Sequence, residues 1–137
     1  MRIRLLVMAL VLSGCASPLP PADPAKAWVS LYSHAGTVLM ADRLNGERWP
    51  DGRYFQVEPG AQELLVRFQF EVQRGSWLES EPQLTTCQIR FRYADFAAGQ
   101  HYRIEARPWL MKAQAWLYDD QRQVLARGQV LRCGSAY

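Results

Sequence analysis

Between residues 63 and 72 the chain alternates between apolar and polar positions. Leu64, Val66, Phe68, Phe70 and Val72 fall on one side of an extended backbone, and Glu63, Arg67, Gln69 and Glu71 on the other. A period of two is the mark of a strand with one buried and one wet face. The pattern returns in Cys87, Ile89, Phe91 and Tyr93, set against Thr86, Gln88, Arg90 and Arg92. It returns again in Tyr102, Ile104 and Ala106, set against His101, Arg103, Glu105 and Arg107. Shorter strands are predicted around 27–32, 37–42, 53–57, 113–118 and 124–131. Between them lie the turn-forming pairs Asn45-Gly46, Asp51-Gly52, Pro59-Gly60, Ala98-Gly99 and Asp119-Asp120. No segment carries a sustained helical period. These signals predict an all-β chain, a single antiparallel β-sandwich or partly open barrel of about seven to eight strands.

The first residues follow a different rule. Arg2 and Arg4 precede an unbroken apolar run from Leu5 to Leu12, and the small residues Ser13 and Gly14 follow. That order is a secretory signal, and the run is too short to span a bilayer. An ordinary signal peptide with an incidental cysteine would have the same outline.

Leu12-Ser13-Gly14-Cys15 resembles the bacterial lipobox at all four positions. The resemblance implies removal of residues 1–14, a thioether-linked diacylglycerol on Cys15 and acylation of its new amino group. Ala16 after the cysteine resembles the outer-membrane sorting signal of enterobacterial lipoproteins. It implies an outer-membrane location with the domain facing the periplasm. Two or more acyl chains make such an anchor stable. Residues 16–25 carry four prolines. They read as a semi-rigid tether of roughly 30 Å, at about 3.1 Å per residue. The domain expected to follow spans residues 26–137.

Processing changes the charge as well. Of 16 basic residues two lie in the signal, which leaves 14 against 13 acidic and a formal charge of +1 instead of +3. A near-neutral domain has no electrostatic footprint for nucleic acid. With Cys15 assigned to lipid, Cys87 and Cys133 remain as an even pair in an oxidising compartment, where a disulfide is expected. Because Cys87 falls on the apolar face, the bridge is expected to cross the core and tie the C-terminal strand to a central one. Two buried free thiols are the alternative.

The stretch Val38 to Trp49, then Tyr54-Phe55-Gln56-Val57-Glu58-Pro59-Gly60, then Leu64 to Phe68, resembles the PEGA-type β-sandwich of bacterial envelope proteins. In that pattern a strand meets an Asn-Gly turn, a second strand ends in Pro-Gly, and an alternating strand follows. Phe96-Ala97-Ala98-Gly99-Gln100-His101-Tyr102-Arg103-Ile104 is similar to a stretch of small envelope lipoproteins. Together these resemblances imply a non-enzymatic extracytoplasmic module, and they carry over no catalytic residue.

Local chemistry is sparse. His34 and His101 have no partner at metal-ligand spacing, and no nucleophile elbow, phosphate loop or dinucleotide fingerprint is present. No metal or cofactor is expected. Trp28 and Trp116 lie inside predicted strands and are expected in or beside the core. Trp49, Trp77 and Trp109 lie at strand ends, where they either cap the sandwich or contact a glycan or protein partner. Arg67, Arg90, Arg92, Arg103 and Arg107 are candidates for a basic stripe on one sheet face, with Arg90 and Arg92 the first choices for partner contact. Glu63, Glu71 and Glu105 interleave with them, so cross-strand pairing alone would account for the pattern.

The expected function is therefore a lipid-anchored accessory or protein-interaction module of the outer membrane. A glycan or peptidoglycan binder using the loop tryptophans is the alternative. A periplasmic hydrolase inhibitor is a weaker one.

Overall fold

The computed structural model describes residues 14–15, 17–73 and 81–135. Among these, every regular element is a strand. The strands are β1 (Ala27–Ser33), β2 (Val38–Leu44), β3 (Glu47–Arg48), β4 (Tyr54–Val57), β5 (Gly60–Val72), β6 (Gln83–Phe96), β7 (His101–Trp109), β8 (Lys112–Tyr118), β9 (Val124–Arg127) and β10 (Gln129–Ser135). They form two five-stranded sheets, ordered β4-β1-β7-β8-β9 and β10-β6-β5-β2-β3. Pairing is antiparallel except between β1 and β7, which run parallel with Trp28 opposite His101 and Ser33 opposite Ala106.

The predicted alternation is the core. Val29, Phe55, Val57, Ile104 and Leu117 of the first sheet are buried together with Leu64, Val66, Phe68, Phe70, Ile89 and Phe91 of the second. Burying each such side chain contributes roughly 1.5–3 kcal/mol, so this two-layer contact is the main source of stability. The Asn45-Gly46 turn joins β2 to β3 with φ of 50° and 81°, a pair of left-handed residues that suits a tight hairpin.

The described residues form ten strands where about seven to eight are expected, for two reasons. The two-residue β3 is too short to leave an alternation. The predicted strand over 124–131 divides at Gly128, where the chain leaves the first sheet as β9 and joins the second as β10. The Gly128 amide still donates to the Ala115 carbonyl at 2.8 Å, so the crossing is a bend in a continuous extended segment.

The disulfide is present between Cys87 and Cys133, but it does not cross the core as expected. It joins directly opposed residues of the neighbouring strands β6 and β10, with α-carbons 4.1 Å apart. Both side chains project toward the same face, so the bridge staples an edge strand to its own sheet.

Residues 17–25 also differ from the free tether the prolines suggest. The Asp23 amide donates to Gln56 Oε1 (3.0 Å), and Arg53 Nη1 donates to the Ser17 carbonyl (2.7 Å). An Asx turn, with the Ala25 amide bonded to Asp23 Oδ1 at 2.9 Å, then leads into β1. The segment thus lies along β4, the outer strand of the first sheet.

Candidate interaction face

The outer face of the first sheet is built from positions that alternate with core residues. Along β1, Val29 is buried and Trp28, Ser30 and Tyr32 face outward. On β7, Tyr102, Ile104 and Ala106 are inside, which leaves His101, Arg103, Glu105 and Arg107 outside. The same phase on β8 turns Gln114, Trp116 and Tyr118 outward around buried Ala115 and Leu117. In the parallel register Arg103 lies opposite Ser30, and in the antiparallel one it lies opposite Tyr118.

Arginines sit over rings across this face. The Arg103 guanidinium lies 4.8 Å from the centre of Tyr32, and that of Arg107 lies 4.8 Å from the centre of Trp116. Trp28 and Tyr54 stack with centroids 4.3 Å apart and planes within 7°. Glu105 accepts from Arg103, and its carboxylate also lies 3.5 Å from Arg122. Two adjoining grooves follow from this relief. One, of about 310 Å³, is lined by Ser30, His101, Arg103, Tyr118 and Asp119. The other, of about 420 Å³, is lined by Tyr32, His34, Arg107, Trp116 and Tyr118. Both share Arg103, Glu105 and Arg122 as a common wall.

Magnitudes say how little this face adds to the fold. An exposed cation–π pair contributes about 0.5–1 kcal/mol, and an exposed ion pair about 0–1 kcal/mol. Short polar side chains would serve a solvated face as well. Arginine and aromatic residues are instead the types enriched where protein surfaces dock. Planar guanidiniums held over rings lose little freedom when a partner binds them.

The sequence-predicted contacts do not converge. Arg90 and Arg92 lie on the outer face of the second sheet, where Arg90 donates to Gln129 (2.7 Å) and Arg92 pairs with Glu63 (2.9 Å). Arg67 is on that sheet too, while Arg103 and Arg107 are on the first, so the expected stripe of five arginines is split between opposite faces. Trp49 packs its ring 6.0 Å from both Tyr54 and Phe55, with Nε1 buried, and closes one side of the sandwich. Trp109 is exposed at the end of β7. Trp77 lies outside the described residues. Trp28 and Trp116, expected in or beside the core, are half-buried on the outer face of the first sheet. Their phase relative to Val29 and Leu117 carried that information, but bulk hydrophobicity masked it.

Cys15 is exposed and takes no part in the disulfide. Among the described residues no group of three or more His, Cys, Asp or Glu is placed to hold a metal ion. No protein family, curated protein or solved structure matches this chain.

Proposed function

We propose that this chain is a lipid-anchored protein of the bacterial outer membrane. In this reading residues 1–14 are removed, Cys15 carries the lipid, and the sandwich is a non-enzymatic module that docks an envelope protein. The lipobox resemblance of residues 12–15 supports the anchor, as does an exposed Cys15 outside the disulfide. The observation that carries the docking surface is the arginine-topped aromatic face of β1, β7 and β8, with Arg103 over Tyr32 and Arg107 over Trp116.

That observation also separates protein docking from glycan binding. A sugar ring stacks on a free aromatic face, and here guanidiniums already occupy one side of Tyr32 and Trp116. The glycan reading rests on Trp109 and on Trp77, and co-sedimentation with purified peptidoglycan measures it directly.

A photoreactive amino acid at Tyr118, which lines both grooves, tests the proposal in cells. A discrete adduct is expected on irradiation, lost when Arg103 and Arg107 are both changed to alanine. Adducts arising only from a control probe at Gln88, on the second sheet, would overturn the docking face. A hydrolase as the captured protein would give the same face an inhibitory role.

A further inference from the structure

The hairpin between β7 and β8 carries its most apolar residues where water reaches them best. Trp109 is 52% exposed, Leu110 82% and Met111 48%. Trp109 pairs with Lys112, so Leu110 and Met111 are the whole of the turn. Leu110 has φ of 54°, the left-handed region that glycine or asparagine ordinarily fills. A leucine there strains the backbone and buries nothing in return. Strain retained against the interest of the fold points to a role outside it. Arg107 and Lys112, both exposed, flank the apolar tip.

The direction of this tip is fixed by the sheet. β1 and β7 are parallel, so the end of β7 lies beyond the end of β1. Residues 23 to 17, followed backward, run from Gln56 to Arg53 along β4. Tyr54 lies opposite Ser30 and Val57 opposite Ala27, so this backward course leads toward the same pole. From Ser17 the chain toward Cys15 is thus headed for the side where the hairpin projects. Arg53 is level with Leu31 and hence with Ile104, which puts Trp109 only about 16 Å farther along at strand spacing. The docked segment thus folds the anchor back toward the tip.

We infer that the Trp109-Leu110-Met111 tip inserts into the headgroup and upper acyl region of the same bilayer that holds the Cys15 lipid, with Arg107 and Lys112 against anionic headgroups. Tryptophan favours that depth, leucine and methionine the acyl side, and basic residues the phosphate level. The domain then stands on two points, a lipid and a hairpin. The inference rests on the lipid-anchor reading.

The test uses the protein purified from envelope membranes and reconstituted in phosphatidylethanolamine–phosphatidylglycerol vesicles with brominated acyl chains. Brominated chains are expected to quench tryptophan fluorescence, and Trp109→Phe to remove most of that quenching. Leu110→Gly relieves the left-handed strain, so it is expected to hold or raise the melting temperature. The same change should also lower the quenching of Trp109, as the leucine's methylenes no longer hold the tip among the acyl chains. Equal, weak quenching in the native protein and Trp109→Phe would overturn the inference, as would undiminished quenching in Leu110→Gly. A protein cross-linked at the tip in place of lipid quenching would overturn it too. Mass spectrometry of the same sample reads the lipid on Cys15 independently. Were Cys15 unmodified, coupling it to a maleimide lipid would supply the anchor, and the quenching result would stand alone.

Discussion

Gly128 passes so close to Ile89 that a β-carbon on the glycine would lie 2.6 Å from Ile89 Cγ2, and 2.8 Å from Phe91 Cζ. The bend between the sheets therefore requires an absent side chain, in contrast to glycines required for their φ. Gly128→Ala is expected to destabilise the fold by about 1–3 kcal/mol, the usual cost of overpacking a core. Urea denaturation measures this. Phe91→Leu in the same chain should return part of the loss, because the two positions compete for one space. A neutral Gly128→Ala would mean that β9 and β10 shift freely past the core.

The Cys87–Cys133 bridge closes a separation of 46 residues between opposed strands. Replacing both cysteines with alanine is expected to cost about 2–5 kcal/mol while leaving the sheet intact, because flanking pairs such as Gly134 with Thr86 keep the register. Thermal melts with and without reductant should show the same difference in the native protein and none in the double variant.

Trp116 and Leu117 are neighbours on β8 that face opposite ways. Leu117→Ala is expected to cost about 2–5 kcal/mol as a buried truncation. Trp116→Ala should cost about 1 kcal/mol, chiefly the contact with Arg107. Reversal of that order in chemical denaturation would contradict the outward placement of the indole.

Asp51 is held well below its ordinary value of 3.8, at about 2, by its hydrogen bonds with the Arg53 side chain and backbone. A carboxyl lowered on folding stabilises the folded form above its unfolded pKa, and the contribution vanishes as pH falls through the folded one. The window is thus 3.8 down to about 2. Arg53 also holds the Ser17 carbonyl, so release of residues 17–22 from β4 is expected as the pH falls through this window. Amide exchange and carboxyl NMR titration would record it. Asp51→Asn should produce the same release at neutral pH.

The strands were legible where one side faces the core and the other water. Leu64 to Val72 and Tyr102 to Ala106 lie as their alternation predicts. Turn chemistry located Asn45-Gly46 for the same reason, since positive φ narrows the choice of residue. Three features escaped. The change of sheet at Gly128 depends on Ile89 and Phe91, some forty residues away in sequence. The lateral disulfide depends on the register of β10 against β6, which alternation does not encode. The aromatic face was hidden because Trp28, Tyr32 and Trp116 look like core by hydrophobicity and like solvent-facing residues only by phase. Arg103 and Arg107 stand out in the sequence as basic positions, yet which arginines share a face is decided by strand order.

The parallel pair of β1 and β7 bears on how the chain reaches its native state. β1 is made first, but Ser30 donates to the Tyr102 carbonyl, 72 residues later. In an N-terminus-first synthesis or export, the opening strand must wait unpaired on that side until three-quarters of the polypeptide has emerged. Contacts of such separation slow folding, because a long loop must close before they are rewarded. The middle of the first sheet therefore forms late, and until then a strand carrying Trp28, Val29 and Leu31 needs shielding from other chains.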